Sequence, residues 1–296
     1  MENFKINICK IENVKMMIQR MFLFILTLAL FSCSNDELPE FNKIEKLRLI
    51  ALTTATPEVS PGDSVTITPV VSDLGTSSLK DTVRLCVDLG IAYGVAPNCD
   101  NNPTTTDLHA ARNLTLPGIG DNWTGSADSF TFNVPIDTVI FANQTDAQKY
   151  NGVNYLVEYT LENSSGEKIQ SFKRIVVSES AKTTKNLNPV VSDIFSEGVS
   201  MATLPVGQKV NLSTNVSSAS AEAYQLKNST GILTDRTEVI TVTWMITDGK
   251  TQYYRSEIGQ VNQYTAPDAS PTGRSAYVFA VVRDDRGGVT VVRKKL

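Results

Sequence analysis

The chain predicts an all-β protein: two tandem β-sandwich domains behind an N-terminal signal peptide and a flexible tether. Three observations carry this expectation. Beyond about residue 46 the sequence is rich in Thr, Val and Ser, in short alternating runs separated by Gly, Pro, Asn and Asp, the pattern of half-buried antiparallel strands. Long 3.6-residue periodicity is absent, and only residues 107–112 and 145–150 read as short helical turns. The strand pattern also occurs twice. A length of 296 residues, 41% hydrophobic and 20% charged, is a globular composition that can fill two cores of ordinary size.

The first element is an address. Residues 21–31 (MFLFILTLALF) are an apolar run preceded by Lys5, Lys10, Lys15 and Arg20. Crossing a hydrocarbon core takes about 20 apolar residues, so the run reads as the core of a signal peptide over residues 1–32, with Met16 or Met17 as the working start. Leu30-Phe31-Ser32-Cys33 then resembles the lipobox of bacterial lipoproteins, with an aliphatic residue three before the cysteine and a small residue directly before it; Phe31 departs from the pattern. The resemblance implies that the Cys33 thiol carries a diacylglycerol, that cleavage falls just before it, and that the freed amine is acylated. One acyl chain holds a membrane marginally, whereas two or three hold it stably. The alternative is ordinary cleavage, with Ser32 and Ser34 as the small residues and Cys33 discarded.

Residues 33–46 are expected to form an acidic tether. Within it, Ser34-Asn35-Asp36-Glu37 resembles the export tags that carry some lipoproteins to the outer face of the outer membrane, and is also what a plain linker would show. Removing residues 1–32 takes away four basic and two acidic residues, so the formal charge of −4 becomes −6. Such a chain needs lipid for its attachment, because no basic amphipathic helix is present to bind headgroups. It also lacks the basic stripe that nucleic-acid binding requires.

The repeat sets the remaining elements. Gly62-Asp63-Ser64-Val65-Thr66-Ile67-Thr68 aligns with Gly207-Gln208-Lys209-Val210-Asn211-Leu212-Ser213, and Tyr155 precedes Gly166 by the same interval as Tyr277 precedes Gly288. Each copy then ends in a hairpin, with turns at Asn163-Ser164-Ser165-Gly166 and Asp285-Arg286-Gly287-Gly288. This predicts domains at 47–179 and 187–296, joined by residues 180–185. The surplus length of the first copy falls in residues 89–125, dense in Asn, Asp, Thr, Pro and Gly, and long loops on a rigid sandwich are where recognition usually resides.

Residues 239–247 test the sandwich reading. Ile240, Val242, Trp244 and Ile246 share one face and Thr241, Thr243 and Thr247 the other, so Trp244 should point inward, with Asp248-Gly249 offering a hairpin turn. A buried tryptophan on the third strand, with Tyr277 near the start of the penultimate strand, resembles immunoglobulin-like sandwiches, and so does the opening of the first copy: a strand, a kink at Pro57-Glu58-Val59-Ser60-Pro61, then the next strand. The inter-sheet cysteine of that family is missing, since Phe279 stands two after Tyr277.

Chemistry is sparse. Cys86 and Cys99 stand thirteen positions apart in an exported chain, which points to a disulfide; a metal pair or a redox pair would want closer spacing or histidine partners. Cys9 falls in the leader. His109 is the single histidine, with no Gly-x-Ser-x-Gly elbow to supply a nucleophile, and reads as a bystander. Asp100, Asn101, Asn102 and Asp107 crowd together without the spacing of a calcium loop. Trp123, with Asp121 and Asn122 before it in a glycine-rich stretch, reads either as a loop-tip ring able to stack on sugar or as a ring folded over the sandwich edge. Tyr253 and Tyr254 should place at least one ring outward.

No catalytic residue, metal or cofactor is assigned. The expected role is a non-catalytic binding or scaffolding lipoprotein of the outer membrane, meeting a protein or a polysaccharide at the cell surface. Rival readings are a polysaccharide-binding accessory lipoprotein of an uptake system and a periplasm-facing structural lipoprotein. An enzyme would need a pocket with two carboxylates about 5–10 Å apart. No catalytic domain is expected beyond the last strand.

Overall fold

In the first sandwich, alternate apolar residues of ten-residue strands turn toward a common core. The computed structural model describes residues 41–74, 78–90, 95–114, 123–200 and 206–295, with the main chain alone at Trp123 and Thr124. The signal peptide, Cys33 and the tether as far as residue 40 lie outside the described residues. One sheet holds β1 (Arg48–Thr53) and β3 (Ser64–Asp73), with β6 (Trp123–Ser126) and β7 (Phe130–Asn133) both pairing with β3. The facing sheet has the order β2-β9-β8-β4-β5, made of β2 (Glu58–Val59), β4 (Leu79–Val87), β5 (Thr106–Leu114), β8 (Val153–Asn163) and β9 (Lys168–Val177). Val65, Ile67 and Val71 of β3 meet Val83, Leu85, Val157 and Tyr159 across the gap between the sheets. Two short helices, α1 (Asp137–Ile140) and α2 (Asp146–Asn151), precede β8.

The second sandwich pairs a sheet of order β11-β10-β12-β18-β16 with one of order β17-β15-β19-β20. Its strands are β10 (Val191–Ser196), β11 (Val199–Ser200), β12 (Lys209–Val216), β15 (Thr241–Ile246), β16 (Lys250–Thr251), β17 (Arg255–Glu257), β18 (Asn262–Thr265), β19 (Tyr277–Arg283) and β20 (Val289–Lys295). A separate hairpin, β13 (Ala223–Lys227) and β14 (Leu233–Thr237), is inserted before β15. Trp244 is fully buried among Ile194, Leu212, Val242, Tyr264 and Val278, and its indole N–H donates to Ser256 Oγ at 2.9 Å. The inward-facing tryptophan read from alternation is therefore in place, and the protein is all-β.

The two aligned segments of the repeat begin β3 and β12, and Tyr155 and Tyr277 lie on β8 and β19, each of which returns through its hairpin as β9 or β20. At the second of these turns a Cβ on Gly288 would run into the Asp284 carboxylate and the Leu187 carbonyl, which explains the glycine there. Of three local expectations, two are corrected and one holds. Residues 107–112 are extended in β5, paired with β4, because sheet pairing overrides a helix-like spacing of apolar residues. Residues 145–150 do hold a helix, α2, opened by a capping box between Thr145 and Gln148. The Asp248-Gly249 turn does not close a hairpin: β15 stays in its own sheet while β16 crosses to pair with β18 in the other.

The two sandwiches share a third core. Along β19, Val278, Ala280 and Val282 face the second sandwich's interior, while Tyr277, Phe279 and Val281 face outward and are equally buried. They meet Ile50 and Ala51 of β1 and Val70 of β3. A bulge in β1 makes this possible: Leu49 pairs with Val71 and Ala51 with Val70, so the extra residue lets consecutive Ile50 and Ala51 both serve the junction. Ile44, in the segment read as tether, is 1% exposed in the same cluster, and its N–H donates to the Ile246 carbonyl at 2.7 Å. Residues 42–47 are thus docked rather than free. The connection at 180–185 is also held down, with Lys182 buried against Glu58 at 2.7 Å. Residues 41–296 form one compact unit.

Candidate functional site

The insertion that the sequence singles out is tied to its sandwich at several points. On β4, Val83, Leu85 and Val87 point into the core, so Cys86 faces the opposite side of the sheet, beside Leu156 of β8. There it forms a disulfide with Cys99, with a Cα–Cα distance of 5.8 Å. Glu158, 4% exposed on β8, holds the same loop from beneath. Its carboxylate accepts from the Cys99 N–H at 2.7 Å, from Gln170 Nε2 at 2.7 Å and from Arg84 Nη2 at 2.6 Å. Arg84 in turn pairs with Asp100 at 2.7 Å.

Asn102 reaches back to the Val87 carbonyl at 2.8 Å, and its Oδ1 caps Thr104. The crowd of oxygen side chains at 100–107 therefore shapes the loop, and among the described residues no group of three or more His, Cys, Asp or Glu is placed to hold a metal ion. On β5, Arg112 grips the buried Asp81 with two hydrogen bonds, at 3.0 and 2.7 Å, and bonds the carbonyls of Asp128 and Ser129. His109 lies edge-on to Phe130 with ring centroids 6.0 Å apart, and its Nε2 finds no hydrogen-bond partner among the described residues.

Of the residues proposed to touch a ligand, Asp121 and Asn122 lie outside the described residues. The main chain of Trp123 opens β6 and pairs with Asp73 of β3, so the residue stands at the start of a strand rather than at a loop tip. Two residues on, Gly125 packs so closely on the Arg293 guanidinium of β20 that a Cβ would come within 2.9 Å of it. The returning limb of the insertion thus abuts the second sandwich. Tyr253 and Tyr254 are 40% and 64% exposed.

Opening the disulfide is expected to loosen this brace. Cys99→Ser should cost about 3 kcal/mol, the chain-entropy value for a loop of this size, read as a fall in the urea midpoint under oxidising conditions. An unchanged midpoint would mean that the Glu158 bonds alone hold the loop.

Sequence reasoning missed a second concavity. A cleft of about 410 Å³ opens where β1 and β9 of the first sandwich meet β15, β19 and β20 of the second. Three cations line it: Arg48, Lys173 and Arg283. Burial pushes the Lys173 ammonium down to about 8, with Asp284 partly opposing this and Arg283 adding to it. Burial also holds the Arg283 guanidinium below its ordinary value, and Arg255 adds to this. The signal was present in the alternation of β9, where Ile169, Ser171, Ile175 and Val177 share a face and Lys173 interrupts it.

No family model and no curated protein matches the sequence. Among solved structures the chain is similar to red sea bream transglutaminase, at 11% sequence identity and a TM-score of 0.27, covering 84% of this chain and 31% of that one. The chain spans under a third of that structure's length, and so loose a likeness carries no argument here.

Proposed function

We propose that this chain is a lipid-anchored protein of the bacterial outer membrane that binds rather than transforms: acyl chains on Cys33 hold a rigid double sandwich whose braced insertion meets a protein or a polysaccharide at the cell surface. The observation that carries this reading is the brace itself. A disulfide, a buried carboxylate and an arginine clamp hold residues 99–112 against one sheet. Fixing a loop before it meets its partner lowers the ordering cost of binding. A disulfide also suits an oxidising, extracytoplasmic compartment, which agrees with the export signal in the sequence. The docking of residues 42–47 leaves a short stretch between Cys33 and the folded body, so the lipid would fix the body close to the membrane.

The test is made on cells. Intact-mass measurement of the membrane-extracted protein should give an N-terminal Cys33 carrying diacylglycerol and an added acyl chain, and Cys33→Ala should move the protein out of the membrane fraction. Protease added to intact cells should remove the wild-type protein. An unmodified N-terminus beyond residue 33 would sink the anchor, and protection from external protease would turn the protein toward the periplasm.

A further inference from the structure

We propose that the cleft between the two sandwiches is a binding site for a sugar-sized organic oxyanion, a carboxylate or a sulfate ester carried on a hexose-like ring. The inference deepens the binding reading above and rests on it; it is separate from the braced insertion.

The charge balance of the cleft points to an anion. The chain as a whole carries −4, yet the lining holds Arg48, Lys173 and Arg283 and no carboxylate. Among the described residues none of the three forms an ion pair. Arg48 Nη2 donates to the Phe41 carbonyl at 2.8 Å, Arg283 Nη1 to Thr243 Oγ1 at 3.2 Å, and Lys173 Nζ to the Gly287 carbonyl. These partners are dipoles, which orient the cations without neutralising them. The carboxylate acting on Lys173 is Asp284, whose Oδ1 already accepts from the N–H groups of Arg286 and Gly288. Lys173 is 7% exposed, and the nearby Arg283 guanidinium disfavours its charged form further. Gathering like charges out of water is costly unless an opposite charge joins them. An oxyanion would supply that charge, and the planar Arg guanidiniums offer forked donors to it.

The shape sets the body of the ligand. A volume of about 410 Å³ lies in the range of small-molecule sites. Its walls include the apolar Leu49, Met245 and Val289 beside the three cations. Apolar walls beside a cationic floor fit a ligand with one apolar face and one charged substituent.

The test is titration calorimetry of the purified full chain at low salt with three probes: glucuronate, glucose 6-sulfate and glucose. At least one acidic probe should bind about tenfold or more tighter than glucose, and added salt should weaken it. Tighter binding of glucuronate would assign a carboxylate ligand, and tighter binding of glucose 6-sulfate a sulfate ester. Arg283→Gln should weaken the preferred probe by about tenfold or more, while Arg236→Gln, on the β13–β14 hairpin and outside the cleft lining, should leave it unchanged. If Arg283→Gln does not fold, the partly exposed Arg48→Gln carries the same expectation. Equal binding of glucose, no binding of either acid, or undiminished binding by the folded cleft variant would overturn the proposal. Because lipidation and exposure are read on cells and this affinity on the pure protein, either can fail alone.

Discussion

Phe279→Ala should destabilise the protein by about 3–5 kcal/mol, the range for deleting a fully buried ring, even though Phe279 belongs to neither sandwich's own core. Its side chain is 0% exposed, beside Tyr277 and Val281 on the outward face of β19, and it packs in one cluster with Ile50, Ala51 and Val70 of the first sandwich. Removing it opens a cavity between two rigid sheets that cannot collapse without moving both. The expected result in urea is a lower midpoint at an unchanged slope, seen alike by Trp fluorescence and by far-UV circular dichroism. The wild-type protein should lose both sandwiches in one transition, because neither can unfold without exposing the shared cluster. Two separated transitions in the wild type, or a loss of under about 1 kcal/mol in the variant, would show the sandwiches to be independent.

That shared cluster marks where the sequence stops being legible. Alternation over residues 239–247 reads correctly because one face is plainly polar: Thr241 and Thr243 against Val242 and Trp244. Along Tyr277–Arg283 the apolar run is continuous, and every residue from Tyr277 to Val282 is buried. Such a run is what two-sided burial produces, but the run alone does not say what covers the second face. Ile50 reaches the junction only through a bulge, an irregularity of pairing that leaves no period in the sequence. The disulfide was readable from spacing and compartment, whereas its support by Glu158 depends on two strands set side by side. The cleft is harder still. Lys173 breaks the apolar face of β9 visibly, but its neighbour Arg283 comes from another sandwich, and only the tertiary arrangement gathers the charges. For Trp123, glycine-rich surroundings suggested a tip, and pairing with β3 placed it at the start of a strand.

Glu58→Gln should be the second large loss, about 3–5 kcal/mol, as expected when one partner of a buried ion pair is removed. Glu58 is 3% exposed, on the short strand that pairs in parallel with β9. Its carboxylate meets Lys182 of the inter-sandwich connection at 2.7 Å, the Asn186 N–H at 2.8 Å, and Arg286 of the second sandwich at 2.6 Å. Arg286 also pairs with Glu238 at 3.0 Å and lies over the Tyr224 ring. Neutralising Glu58 leaves the buried Lys182 without its counter-charge and Arg286 with Glu238 alone, so Glu58→Gln with Lys182→Met should recover part of the loss, a coupling that a double-mutant cycle measures.

The pH dependence separates the two acids of this cluster. Burial pushes the Glu58 carboxyl up, but hydrogen bonds from Lys182, Ser178 and the Asn186 amide outweigh it and leave the group below its ordinary value. The stability it contributes is therefore present above the ordinary carboxylate range and is lost as pH falls through the depressed folded value. Glu238 has the opposite sign: burial raises it from 4.5 to about 7, so its folded form holds a proton that the unfolded chain has released, and stability falls as pH climbs between those values. Glu58→Gln should flatten the acid limb of the stability profile and Glu238→Gln the limb approaching neutrality. Profiles that keep both limbs in both variants would mean that the cluster does not govern how the sandwiches are joined.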